Sequence, residues 1–265
     1  MPLDSNEPFA STASYYARYR PRYPKELYAS VAERFGLDGT QHALDLGCGP
    51  GTIALPLAAL VDEVTAVDPE AGMLEQGRAL AARQGVANIR WTLGDSATLH
   101  TLDLPPLDLC LMGKSFHWMS RDQVLADLDQ LTTRQGGVVV ISAGPPGTTP
   151  LPGWAHVVAD VRASYLGPVR RAGDGVYPEP QETYLDTLAR SPFPRVTVHR
   201  WDQHVIRTLD ELIGLQYSNS YSTPTQLGDR KDAFDDDLRK ALTEHEPSAR
   251  FEETIRTEAL VATRL

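Results

Sequence analysis

The segment ALDLGCGPGT, residues 43–52, joins an apolar run to an acid and then sets glycines at 47, 49 and 51. Glycine adopts left-handed backbone without a Cβ penalty and lets main chain approach a neighbour closely. A helix entered through such a turn presents free N–H groups and a partial positive charge at its start. The segment therefore predicts a strand, a tight loop and a helix, built to hold a ligand at the carboxyl edge of a parallel sheet.

The neighbouring sequence repeats this plan. From 42 to 142, short apolar runs alternate with segments of helical spacing, the pattern of a parallel sheet wrapped by helices. Strands are expected at HALDL, EVTAVD, NIRWTLGD, LDLCLMG and GGVVVIS. Helices are expected to begin near Gly51, Glu70 and Arg121, the second closed by QGV. Upstream, RYPKELYASVAERFG reads as an amphipathic helix opened near a proline and closed by Gly36, after an aromatic and basic arm, SYYARYRPRYP. Downstream, AGPPGTTPLPG reads as loop, and helices over 154–165 and 181–189 flank the turn-rich RRAGDGVYPEP. RVTVHRW and FEETIRTEALVATRL read as strands, with helices over 209–217 and 229–244 between them.

The fold class expected is α/β: a doubly wound, Rossmann-like, seven-stranded and mostly parallel sheet with an antiparallel C-terminal edge strand. Residues 1–40 would form an N-terminal arm and helix, 41–142 the ligand-binding core, 143–192 a helical lid insertion, and 193–265 the rest of the sheet with substrate-side helices.

Charge and cysteine content narrow the partners. Twenty-five Lys and Arg against thirty-five Asp and Glu give 25 − 35 = −10, which repels phosphate backbones and argues against nucleic acid. Cys48 lies in the glycine loop and Cys110 in an apolar run, so neither suggests a disulfide framework. No histidine pair has the H-E-x-x-H spacing, and no metal is implied. No apolar stretch approaches the ~20 residues that span a bilayer, and MPLDSNEPFA lacks the pattern of a secretory signal. The expectation is a cytoplasmic protein with no membrane partner, a monomer or homodimer.

The order D-x-G-x-G-x-G, with Asp45 two residues before Gly47, resembles the first motif of the class I S-adenosylmethionine-dependent methyltransferases. The likeness continues at VTAVDPEAGML, where Asp68 ends the second expected strand, and at GDSATL, which holds Asp95. It spans 15–142 by motif. A dinucleotide fingerprint would need glycine where Thr52 stands, so a nicotinamide enzyme is the weaker reading of the loop.

The resemblance implies S-adenosyl-L-methionine as methyl donor and S-adenosyl-L-homocysteine as product. It also implies binding residues. Asp45, Gly47, Cys48, Gly49 and Gly51 would hold the amino-acid end, Asp68 the ribose with Pro69 and Met73 beside it, and Asp95, Ser96 and Ala97 the adenine. Tyr15, Tyr16, Tyr19 and Arg20 of the arm would cap the donor or contact its carboxylate, the alternative being an amphipathic surface arm with half-buried tyrosines, and Ser115 would contact the donor or cap the short helix that follows.

MGKSFHWMSRDQ ends the fourth expected strand, where small-molecule members of the superfamily often carry an HW pair. Phe116, His117 and Trp118 are therefore expected between donor and acceptor, with His117 the candidate general base because imidazole titrates near neutrality untuned. The alternative is that His117 bonds backbone and Trp118 packs on a helix. Lys114 reads as a solvated edge residue. DLPPLDL carries the prolines of amino-methyltransferases acting on DNA or protein, but it precedes the strand and reads as an entry loop.

The insertion and tail offer Trp154, His156, Tyr165, Arg170, Arg171, Tyr177, Tyr217 and Tyr221. Of these, Tyr165, Tyr217 and Tyr221, with Tyr15 of the arm, are candidate substrate contacts. At helical spacing aromatics also serve as core. The expected activity is methylation of an N or O atom of a small molecule, in the manner of natural-product biosynthesis, with the acidic balance leaning toward an amine. A donor-binding protein without catalysis would bind the donor and methylate nothing; a nicotinamide oxidoreductase would be stabilised by NAD(H) instead.

Overall fold

A computed structural model describes residues 11–147, 150–172, 175, 176 and 182–265. Tyr177 and the first residue of the helix expected over 181–189 lie outside the described residues.

The chain opens with α1 (Ala13–Tyr19) and α2 (Lys25–Phe35), the latter closed by Gly36 at φ +60°. The core then runs β1 (His42–Leu46), α3 (Ala54–Leu57), β2 (Glu63–Asp68), α4 (Ala71–Gln84), β3 (Ile89–Leu93), β4 (Leu107–Gly113), α5 (Arg121–Leu131) and β5 (Thr132–Gly144). After it come α6 (Gly153–Leu166), a small ribbon of β6 (Arg171–Ala172) and β7 (Gly175–Val176), and α7 (Tyr184–Ala189). The last part is β8 (Arg195–Thr208), α8 (Leu209–Tyr217), α9 (Pro224–Leu227), α10 (Lys231–His245) and β9 (Arg250–Thr263).

Seven strands form one sheet in the order β3-β2-β1-β4-β5-β9-β8. The first five are mutually parallel; β9 runs antiparallel between β5 and β8. The strand order reverses at β1 and β4, so the loops leaving those two strands open a crevice at the carboxyl edge.

Side-chain alternation decides which face each strand residue covers. Ala43, Leu109, Leu111, Val139, Ile141 and Val261 pack under α2, α3 and α4. Leu44, Leu46, Cys110, Met112, Val138, Val140 and Leu260 meet α5, α7 and Phe193 on the other face. Both faces being covered explains why β1, β2 and β4 read as nearly continuous apolar runs. The close helix-strand contact here is made by Gly77 of α4, where a Cβ would overlap the indole of Trp91 on β3.

Several lengths differ from those expected, among them β3, which stops at Leu93 instead of running through GD. The first core helix begins at Ala54, not near Gly51, because the three glycines hold a turn. β5 starts at Thr132, ahead of GGVVVIS, across a register shift between Leu107 and Leu109. β8 runs on through Gln203–Thr208 and pairs with Arg250–Ile255 of β9 beyond the last β5 partner, Arg256. This two-stranded extension projects past the carboxyl edge, and α6, α8 and α10 pack beside it around Phe234 and Leu238. Among the described residues no helix is long and apolar enough to cross a membrane.

Candidate active site

The glycine loop occupies the predicted crevice. Gly47, Gly49 and Gly51 have φ of +71°, +54° and +81°. The N–H groups of Gly47 and Cys48 donate to Val67 O (2.8 and 3.0 Å), and that of Gly49 donates to Asp68 Oδ2 at 2.7 Å. Asp68 Oδ1 accepts from Glu70 N–H at 3.0 Å. A Cβ on Gly47 would overlap that of Ser115, whose hydroxyl donates to Leu46 O at 2.6 Å. Ser115 thus backs the loop and makes no cap bond to the helical turn Phe116–Trp118.

Asp45 lies at the root of the loop, 1% exposed. Its Oδ2 accepts from Ala54 N–H at 2.9 Å, and its Oδ1 has no hydrogen-bond partner. Burial pushes its carboxyl up to about 8, opposed by the Ala54 N–H and reinforced by the Asp68 charge. Burial likewise raises Asp68, opposed by the Glu70 and Gly49 N–H groups. The Cys48 thiol is buried and directed to Gly49 O.

Asp95 folds the loop after β3: its Oδ1 accepts from the N–H groups of Ala97 and Thr98 and from Thr98 Oγ1, at 2.9 to 3.0 Å. Gly94 N–H donates to Asp68 O at 3.2 Å, so the GDSATL turn stands next to the end of β2. Pro69 and the buried Met73 follow Asp68 into α4, completing a row of loops along one edge.

Two expectations about the end of β4 are corrected here. Lys114 is not a solvated edge residue; it sits at φ +56°, its N–H donates to Ile141 O at 2.8 Å, and burial, helped by Arg20, pushes its ammonium down to about 7 against the pull of Glu253. Nor is His117 an untuned imidazole: burial, then Lys114 and Arg121, push it down to about 4, so the ring is neutral at pH 7. His117 and Trp118 pack ring to ring at 4.8 Å and are half-buried. Phe116 is buried in the core, edge-on to Tyr184 at 5.3 Å.

The arm supplies a roof. A Cβ on Gly49 would lie 3.9 Å from Tyr16 Cε1, and burial raises the Tyr16 hydroxyl, opposed by Arg20 and reinforced by Asp68 and Asp45. The Arg20 guanidinium lies over the Tyr16 ring at 4.9 Å and donates to Ser218 O (2.9 Å) and Asn219 Oδ1 (2.7 Å). Tyr23 stands over Gly113 at the end of β4. Tyr19 packs on Gly214 of α8, and Tyr15 on Tyr217 at 5.1 Å.

The tail aromatics are divided. Tyr217 is buried and its hydroxyl donates to Asp235 (2.9 Å); Tyr165 donates to Asp237 (2.6 Å) and packs edge-on to Phe234. Both are built into the helical layer. Tyr221 lies under the Arg170 guanidinium at 4.9 Å. The sequence reading passed over Tyr23, and over Arg207 and Glu253, an ion pair at 2.7 Å with side chains 8% and 10% exposed. Their pairing across β8 and β9 has no local signal.

Residues 43–136 match the family model described as a methyltransferase domain. That segment, which holds the glycine loop and β1 to the start of β5, is where the chain is similar to methyltransferases. An uncharacterized methyltransferase of Mycobacterium tuberculosis is 28% identical over 84% of this chain and 82% of the relative. A candidate type II methyltransferase structure from Anaeromyxobacter dehalogenans aligns with a TM-score of 0.60 at 20% identity, covering 93% of this chain and 98% of that one. A methyltransferase from Thiobacillus denitrificans, crystallised with S-adenosylhomocysteine, aligns with a TM-score of 0.52 at 15% identity, covering 98% and 100%. The chain spans 19%, 51% and 16% of the first curated relatives it matches, and the shortest two of these matches are to RNA methyltransferases.

Proposed function

We propose that this protein transfers a methyl group from S-adenosylmethionine to a nitrogen or oxygen atom of a small molecule. The observation that carries the reading is Asp45: a buried carboxyl group with one unpartnered oxygen at the root of a glycine loop. Burial holds this carboxyl largely protonated until a cation arrives, and the α-ammonium of the donor's amino-acid end is the group that would ionise it and pair with its free oxygen. Asp68 already accepts two backbone N–H groups, yet each carboxylate oxygen has a second lone pair for a ribose hydroxyl. Asp95, Ser96 and Ala97 form the turn that would meet the adenine, with Pro69 and Met73 flanking the ribose.

The donor, when bound, supplies an already activated methyl group. What remains for the chain is to orient, to exclude water and to keep the attacking atom unprotonated. Tyr16 covers the loop from the arm, with Arg20 stacked on its ring. His117 is neutral at pH 7 and accepts a hydrogen bond from the acceptor's N–H or O–H, with Trp118 beside it. An imidazole pushed down to about 4 is a weak base, which suits an amine, already nucleophilic once deprotonated, better than an alcohol. Acidic overall charge supports a small-molecule acceptor over RNA.

The test is incubation with methyl-labelled donor and a cell extract separated into RNA, protein and small-molecule fractions. Label in the small-molecule fraction is expected. Label in RNA would overturn the acceptor class, and label nowhere would overturn the catalytic reading.

A further inference from the structure

A cavity of about 570 Å³ lies between the arm and the projecting end of β8, lined by Arg18, Arg20, Arg22 and Arg207 together with Asp210 and Glu211. In a chain of net charge −10 such a concentration of arginines is local and specific. Both acids have partners of their own, and Glu211 also lies in the field of Arg207. Asp210 pairs with Arg239 at 2.6 Å, and Glu211 Oε2 accepts from the Thr208 N–H and hydroxyl at 2.8 and 3.1 Å.

The arginines keep unused donors. Arg207 is 7% exposed; its Nε donates to Glu253 Oε1 at 2.7 Å, but its buried Nη2 has no partner. Arg20 donates through Nη2 to Ser218 and Asn219, while its buried Nε has none. A buried guanidinium N–H without an acceptor is costly, and an oxyanion that takes one such N–H from each arginine would satisfy both. Side chains link the cavity to the glycine loop: Arg20 stacks on Tyr16, which lies against Gly49, and Glu253, the partner of Arg207, acts on Lys114 at the end of β4.

We infer that the methyl acceptor carries an oxyanion, a carboxylate or phosphate remote from the methylated atom, seated in this cavity on Arg207 and Arg20 with Arg18 and Arg22 at its mouth. The inference rests on the methyltransferase reading for the word acceptor, and on the cavity alone for the anion. It is compatible with an amine acceptor, since the anion is a handle and the amine the nucleophile. The guanidinium groups would fix the acceptor's orientation by binding the end that does not react.

Calorimetric titration tests it with three probes: glutarate, glycerol 3-phosphate and the neutral glutaramide, each with and without saturating S-adenosylhomocysteine. One-site binding of an oxyanion, weakened by added salt, is expected, with no heat from glutaramide. Preference for glutarate or for the phosphate identifies the oxyanion. Arg18→Gln combined with Arg22→Gln, both exposed positions, should weaken it roughly fivefold. Arg207→Gln should abolish it while S-adenosylhomocysteine still binds, a readout that also shows the variant is folded. Binding of neither oxyanion, or binding unchanged in both variants, would overturn the inference. A protein that binds glutarate without binding S-adenosylhomocysteine would keep the anion site and overturn the methyltransferase reading instead.

Discussion

The backbone N–H of Gly49 donates to Asp68 Oδ2 at 2.7 Å, so the carboxylate that ends β2 holds the middle of the loop that ends β1. The same side chain accepts Glu70 N–H through its other oxygen. Asp68→Ala leaves both donors without their charged acceptor, and is predicted to cost about 2–4 kcal/mol in denaturant unfolding. It should also abolish S-adenosylhomocysteine binding. Asp68→Asn, which keeps one acceptor, should retain most of the stability and lose most of the binding.

Asp45 predicts a proton linkage. Its carboxyl is raised from 3.8 to about 8 in the free protein, so near neutrality it is mostly protonated. A bound ammonium would favour the ionised form, and binding at pH 7 should release close to one proton. Calorimetry in buffers of different ionisation enthalpy measures that number. Affinity for S-adenosylhomocysteine should rise with pH up to about 8 and then level off.

The same shift has a sign in stability. A carboxyl raised on folding contributes stability that is full below about pH 4 and is lost as pH rises through about 8. The melting temperature of the free protein should therefore fall across this window more than that of Asp45→Asn, in which no carboxyl titrates. Parallel curves for the two proteins would contradict the raised carboxyl.

Gly77 and Trp91 predict a packing penalty with a partner-specific rescue. Ala at 77 suits helical backbone but overlaps the indole, so Gly77→Ala should destabilise by about 1–3 kcal/mol. Adding Trp91→Leu removes the overlapping ring, and the double variant should be more stable than the sum of the single effects. Chemical unfolding of the four proteins in the cycle reads the coupling.

Arg264 ties the end of β9 to the α5-β5 junction: its guanidinium donates to Asp129 Oδ1, Asp129 O, Thr133 O and Thr132 Oγ1, each at 2.7 Å, over the Phe193 ring. Arg264→Ala should cost about 2–4 kcal/mol. Arg264→Lys should recover less than half, because a single ammonium does not reproduce the fork. Thermal melts of the two variants separate these outcomes.

The parts legible in the sequence were those whose signal is local. Gly36 and Gly85 close α2 and α4 in left-handed backbone, α8 covers 209–217 as its spacing indicates, and Asp45, one residue before the end of β1, and Asp68, the last of β2, stand at the predicted edge. The parts that stayed hidden depend on pairing. The polar start of β5 is strand only because Leu107 pairs with Thr132 across an irregularity, and QHVIRT of β8 only because β9 lies beside it. Lys114 is half-buried and lies in the fields of Arg20 from the arm and Glu253 from β9, which its own neighbours do not announce. Tyr165 and Tyr217 belong to a helical layer whose partner, Phe234, comes later in the chain.

Calorimetric titration with S-adenosylhomocysteine, with NAD as comparison ligand, tests the central claim most directly. Saturable one-site binding that is lost in Asp45→Asn and Asp68→Ala, with no response to NAD, is the predicted result. Binding of NAD with silence toward S-adenosylhomocysteine would contradict the account and reassign the glycine loop to a dinucleotide.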